Sequence, residues 1–359
     1  MYEMASTILA CAVSWGFTSY DYALRQLIFL HIKANELYRG QMRLDKKYYD
    51  DKYEDFALVM SENGDWKNAE EMQVQVMYMR KKLLGAEHPG TLFSMGNLAS
   101  TYSDLGKWDK AEQLEVQVMG MRKKLLGAEH PYTLTSIANL ARTYNYMGKW
   151  EEAEQLEVQV MDMSKKVLGE EHPDTLVSMS NLARTYSNLG KWNEAEQLEV
   201  QVIEMRKKLL GAEHPQTLIS IACLAKTYND MRKWNEAEHL GVQVMDISKK
   251  VLGAEHPKTL TVMTNLARTY NGLGKLNQAE QLGVQVLEMK KNMLGAEHPH
   301  TLTSMEDLAK TYSDLGKWNE AEQLQVQVVD MSKKVLGAEH PHILVMMENL
   351  ANIYSNLEK

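Results

Sequence analysis

The chain has 359 residues, 44% hydrophobic and 25% charged, with a net charge of −8. That mild acidity argues against nucleic acid as the main partner, because phosphate recognition needs a basic stripe. The two cysteines, Cys11 and Cys223, lie far apart in unrelated contexts; this excludes a disulfide framework and suits a reducing compartment, the cytoplasm.

Residues 1–50 do not repeat. Residues 4–17 form the only apolar run near a terminus, too short for a membrane span and without the basic start of a secretory signal. Neither a membrane nor an export route is expected. The stretch DYALRQLIFLHIKANELYR that follows has apolar residues at mixed helical spacing and predicts a helix. From Lys52 a worn copy of a longer pattern begins: Phe56, Ala57, Trp66 and Ala69 stand 42 residues before Leu98, Ala99, Trp108 and Ala111. All seven prolines, from Pro89 to Pro341, then recur at steps of 42 residues. A fixed period of this size predicts stacked units that share one core. The organisation read from it is a non-repeat segment 1–50, seven repeats over 51–340 with the first divergent, and a lone helix over 341–359. That helix either covers the end of the array or marks a truncation.

Within the unit that starts at Pro131, proline sits where a helix tolerates its missing N–H. Leu134, Ile137, Leu140, Ala141, Tyr144 and Met147 recur every three or four residues as one apolar stripe, and Gly148 ends it. Lys149 and Trp150 make the turn. A second helix is expected from Glu151, with a stripe of Ala153, Leu156, Val160, Met163 and Val167, widened by Val158, Met161 and Leu168, and Gly169 ends it. No alternating β-branched run competes, so the fold class is all-α, helix A and helix B repeated.

Leu182-Ala183, Tyr186, Gly190 and Ala195, with their copies, resemble the tetratricopeptide repeat. The 42-residue period and the LGxEHPxTL join resemble the repeats of kinesin light chains, and more closely the tandem repeats of fungal kinesin-light-chain-like proteins. The resemblance covers roughly residues 50–359 and implies a right-handed α-solenoid whose helices A line a concave groove. The chain departs from the family at Glu157, Glu199, Gly241, Gly283 and Gln325, where an aromatic is usual. In many fungal proteins such repeats follow an NB-ARC or NACHT signalling ATPase, and DYALRQLIFLHIKANELYR is similar to the linker between them. No phosphate-cradling G-x-x-x-x-G-K-[ST] run occurs in this chain.

Three polar ladders recur on helix A. The first is Asn97, Asn139, Asn181, Cys223, Asn265, Asp307 and Asn349. The second, three residues on and so on the same face, is Ser100, Arg142, Arg184, Lys226, Arg268, Lys310 and Asn352. The third includes Tyr146 and Asn188, with Asp104, Asp230, Gly272, Asp314 and Asn356. The resemblance places these ladders in the groove, as holders of a partner protein or extended peptide. An asparagine amide can both donate to and accept from a peptide backbone, and Arg or Lys favours acidic side chains. The competing reading is that the asparagines satisfy backbone groups and the cations face solvent. Residues beside the His-Pro joins, Tyr132, Asp174, Gln216, Lys258 and His300, vary most and are expected to tune partner choice.

The seven His-Pro histidines, His88 to His340, invite a metal reading. One histidine per layer, with layers about 10 Å apart, cannot converge on an ion, so a loop or capping part is expected. The Trp column, Trp66, Trp108, Trp150, Trp192, Trp234 and Trp318 with Leu276 standing in once, reads as packing, since an apolar residue replaces it. Lysine pairs such as Lys123-Lys124 suit the negative end of helix B. No catalytic constellation stands out and no cofactor is implied. The functional expectation is a non-catalytic interaction scaffold. The alternative is a sensor or regulatory fragment of an ATPase-bearing relative, acting by self-association or by contact with full-length relatives.

Overall fold

The computed structural model of the chain describes residues 25, 28, 29, 31, 50–336 and 340–357. The apolar run 4–17 and most of the expected helix at 21–39 lie outside the described residues. Fifteen α-helices and no strand occur among the described residues. They fall into two compact units, Met1–Tyr146 and Met147–Lys359.

In the first unit the helices are α1 (Asp50–Glu62), α2 (Trp66–Leu84), α3 (Pro89–Asp104), α4 (Trp108–Leu126) and α5 (Pro131–Tyr146). Each packs on the next, and the odd-numbered helices, the A helices, also touch one another: α1 on α3 and α3 on α5. Phe56, Ala57, Val59, Met60, Ala69 and Met72 form the first core cluster, joined by Ile28 and Phe29 of the non-repeat segment. Arg25 of that segment grips Glu62 through two bonds of 2.6 and 2.9 Å. Leu92, Met95 and Val118 form the next cluster.

The second unit contains α6 (Trp150–Leu168), α7 (Pro173–Asn188), α8 (Trp192–Leu210), α9 (Pro215–Asp230), α10 (Trp234–Val251), α11 (Pro257–Gly272), α12 (Leu276–Leu294), α13 (Pro299–Asp314), α14 (Trp318–Leu336) and α15 (Pro341–Leu357). Here too each helix packs on the next, and α7, α9, α11 and α13 touch in succession. Leu176, Met179 and Val202 are the pattern of its core, repeated as Leu260, Met263 and Val286. Burying each such side chain stabilises by roughly 1.5–3 kcal/mol.

The local devices follow the sequence closely. Each proline opens its A helix, and the histidine before it is the N-cap: His172 Nδ1 accepts from the N–H of Asp174 at 3.2 Å, and His88, His130, His214, His256, His298 and His340 do the same two residues on. The following threonine ties the loop down, as when Thr175 donates to the Gly169 carbonyl at 2.8 Å. Gly148 at φ 73° and Gly169 at φ 93° end helices A and B as expected. Trp150 is the first residue of α6 and not part of the turn. The Trp indole also bonds backward: Trp108 Nε1 donates to the Ser103 carbonyl at 3.2 Å.

Two expectations for helix B need correction. Val167 is exposed, and Leu156 and Met163 are only half-buried; the buried stripe of α6 is Ala153, Glu157, Val160 and Ser164. Those four are spaced by four, three and four residues, which is one narrow face of a helix. Small residues at its two ends permit close approach, and the glutamate is carried inside with them.

Candidate functional site

The A helices of the first unit frame a pocket of about 250 Å³, with α3 and α5 as walls and α4 as floor. Phe93, Gly96, Asn97 and Ser100 come from α3, Glu115, Val118 and Arg122 from α4, and Thr135, Ser136, Asn139 and Arg142 from α5. Arg142 Nη2 donates to Ser100 Oγ at 3.1 Å. Arg122 Nη1 donates to the Tyr132 carbonyl at 3.0 Å and to Ser136 Oγ at 2.8 Å. Asn97 donates to Glu54, a buried carboxylate that also receives Arg80 at 3.0 Å and Ser94 at 2.8 Å.

The other ladder residues are distributed as follows. Asn139, Asn181 and Asn265 are half-buried beside their apolar stripes, and Asn349 is exposed. Arg184, Lys226, Arg268 and Lys310 are exposed, as are Tyr146 and Asn188. Two of the cations already have partners: Arg268 forks onto Asp307 at 3.0 and 2.8 Å, and Lys226 bonds Asp230 at 2.8 Å. The third ladder is broken at Gly272, where a Cβ would lie 2.6 Å from the Trp234 ring. That glycine makes room for the indole.

The helix-B side of the site was not foreseen. Glu115, Glu157 and Glu199 are buried, and burial pushes each carboxyl up to about 7. Glu157 receives a hydrogen bond from Thr185 of α7. Glu115 faces Thr143, but that hydroxyl is shared with Ser103 at 2.9 Å, and both Glu115 oxygens lack a hydrogen-bond partner among the described residues. A second buried column is cationic: Arg80, Arg206 and Lys290 reach the serine fourteen residues on at 2.6, 2.6 and 2.7 Å. Lys290 is pushed down to about 8 by burial. The sequence signal was present in the alternation of Arg, Ser and Lys at positions 80, 122, 164, 206, 248, 290 and 332, which a solvated face would have no reason to restrict.

Lysines at the A–B turns brace successive layers. Lys191 bonds Glu154 at 2.6 and 2.7 Å, and Lys233, Lys275 and Lys317 repeat the pairing with Glu196, Glu238 and Glu280. The second lysine of the helix-B pairs reaches back to the preceding loop, as Lys124 does to Glu87 at 3.0 Å. The loop glutamates Glu87, Glu171 and Glu297 thus form ion pairs with Lys124, Lys208 and Lys334.

Stacked helical hairpins of 42 residues with these turns and caps define a tetratricopeptide solenoid. Tetratricopeptide-repeat models match residues 133–174, 175–216 and 301–342 in one form, and 48–124 and 216–292 in another. The chain belongs to the tetratricopeptide-repeat proteins. Among solved structures it is similar to a kinesin-light-chain-like protein of nearly identical TPR-like repeats from Podospora anserina, at 38% identity over 57% of this chain and 97% of that chain, with a TM-score of 0.49. A Rap protein complexed with competence and sporulation factor matches at 10% identity over 99% of this chain and 98% of that one, TM-score 0.58. NprR in complex with its cognate peptide NprX matches at 13% identity over 98% of both chains, TM-score 0.55. No curated protein matches the chain. No helix among the described residues is long and apolar enough to cross a membrane.

Proposed function

We propose that the protein is a non-catalytic scaffold that binds a partner protein, as an extended peptide segment, along the polar faces of its A helices. The observation that carries this reading is the recurrence of a half-buried asparagine beside the apolar stripe of α3, α5, α7 and α11, with a basic or hydroxyl residue three positions on. A half-buried amide next to solvent is held in a fixed direction and still has bonding capacity to offer a passing backbone. Each such bond adds only about 1 kcal/mol, so affinity requires several in a row, which a repeat supplies. The arginines and lysines of the second ladder favour acidic side chains in the bound segment. The Rap protein and NprR, of the same fold, were each solved with a bound factor or peptide, which accords with this reading.

The test is a peptide array probed with the wild type and with the N139A/N181A/N265A variant, with salt raised in parallel. Binding that falls at least tenfold in the variant and weakens in salt supports the reading; a profile that survives the triple change defeats it. The alternative, a sensor or regulatory fragment acting through self-association or an ATPase-bearing relative, rests on the resemblance of residues 21–39 to the linker of such proteins. It predicts co-purification with that relative.

A further inference from the structure

The repeats are nearly identical, so a place where the text changes and a cavity opens is informative. The pocket of the first unit is such a place. At the register of Gly96 the other copies carry Glu54, Ala138, Ser180, Ala222, Thr264 and Glu306. At the register of Ser100 five later copies carry Arg142, Arg184, Lys226, Arg268 and Lys310. Two side chains are thus cut back on adjacent turns of α3, and a Cβ built on Gly96 meets nothing within 4 Å. The space exposes two guanidinium groups whose known bonds use one nitrogen each, Arg122 Nη1 and Arg142 Nη2. An arginine has five N–H donors, so both retain bonding capacity. On the floor lies Glu115, only 2% exposed, with neither carboxyl oxygen bonded among the described residues.

Resting on the peptide-binding reading above, we propose that this pocket is a proton-coupled subsite for a single acidic side chain, whose carboxylate is held by Arg122 and Arg142 while protonated Glu115 donates a hydrogen bond to it. Two guanidiniums against one carboxyl leave the lining with an excess of positive charge, which favours an anion over an ammonium group. About 250 Å³ accommodates one aspartate or glutamate side chain with part of its backbone, and Asn139 stands at the wall to meet that backbone. With an anion seated, an ionised Glu115 would be a second negative charge in a buried place, so the seated state requires its proton. The other groups that face Glu115 are Glu112 and Arg122 on its own helix, Arg142 and Thr143 on α5, and Asn97 and Ser100 on α3, with Asp104 of α3 beside Arg142. In two other copies the same register holds Gln73 and Gln325, an amide that resembles the protonated acid and is accommodated by the fold.

The probe is N-acetyl-glutamate N-methylamide, with the corresponding capped glutamine as control, followed by ligand-observed NMR titration on the full chain. The capped glutamate binds, and the glutamine at least tenfold more weakly. Since burial sets the free Glu115 carboxyl near 7, affinity rises about tenfold from pH 8 to pH 6, where the probe itself stays ionised. E115Q binds with a flat pH profile, which separates Glu115 from Asp104. G96T, with the threonine natural to position 264, fills the space and abolishes binding while the melting temperature is kept. Equal binding of the two capped residues, a pH slope that persists in E115Q, or undiminished binding by G96T overturns the proposal. If any of these occurs while array peptides still depend on Asn139, Asn181 and Asn265, the subsite falls and the peptide-binding reading stands.

Discussion

The side chain that most changes the reading of this chain is the glutamate inside helix B. From sequence, Glu157 and Glu199 are departures from a family position that usually holds an aromatic, and nothing in helical periodicity alone says that they are buried. Glu157 is buried on one stripe of α6 with the small residues Ala153 and Ser164, and Glu199 on the matching stripe of α8 with Ala195 and Arg206. At Gly241 and Gly283 the next A helix comes close: a Cβ there would lie 3.0 Å from Leu266 and 3.2 Å from Leu308. The consequence is a pH dependence of known sign. Folding raises the carboxyls of Glu157 and Glu199 from 4.5 to about 7, so the folded state prefers the proton. Their contribution to stability is fully present below about 4.5 and is lost as pH rises through about 7. The E157Q/E199Q variant therefore gains stability over the wild type at pH 8, on the order of 1–3 kcal/mol per site, and little at pH 5. Urea unfolding at the two pH values checks this. His256 and His340, held below the usual imidazole value by burial, oppose the trend only as pH falls below about 6.5, and equally in both proteins.

At the scale of the element, most of the fold was legible. Proline at the first helical position, glycine at both helix ends and a 42-residue period sufficed to place helices A and B, because each is a local backbone requirement that only a few residue types meet. The histidines were legible as caps by geometry, and their Nδ1 atoms do accept from the backbone. Less legible was the polar interior: Thr133, Ser136 and Thr143 of α5 are buried beside the apolar stripe, since a hydroxyl can bond within its own helix or loop and needs no water. One turn departs from the pattern. Arg232 has φ 59° where the matching residue of other copies, such as Gly190 at φ 73°, is glycine. A left-handed conformation costs a side-chain-bearing residue about 1–2 kcal/mol, partly offset because glycine loses more entropy on folding. R232G is expected to stabilise the second unit by about 0.5–1 kcal/mol, read as a higher urea midpoint with unchanged slope.

For the whole molecule, the repeat makes the class of function easier to read than its detail. A ladder of similar groups at a constant period suits a ligand that is itself periodic, an extended backbone, and suits a compact substrate poorly. What the sequence left unclear is which rungs are available. Lys226 is engaged with Asp230 one turn on in the same helix, a spacing that helical periodicity reveals, whereas Arg268 is engaged with Asp307, 39 residues away on the next A helix, which no single-helix pattern reveals. The rungs of the first unit, Asn139 and Arg142, line the pocket beside Gly96, with Arg142 bonded to Ser100 and not to a carboxylate. The most direct test of a ligand lying along the A helices is photo-cross-linking of an array-selected acidic peptide that carries a benzophenone, with adducts mapped by mass spectrometry. A ligand lying along the A helices of the first unit gives adducts within or beside residues 93–100 and 135–142 of α3 and α5, lost in N139A/N181A/N265A. Adducts confined to the exposed faces of the B helices, unchanged in that variant, would contradict it.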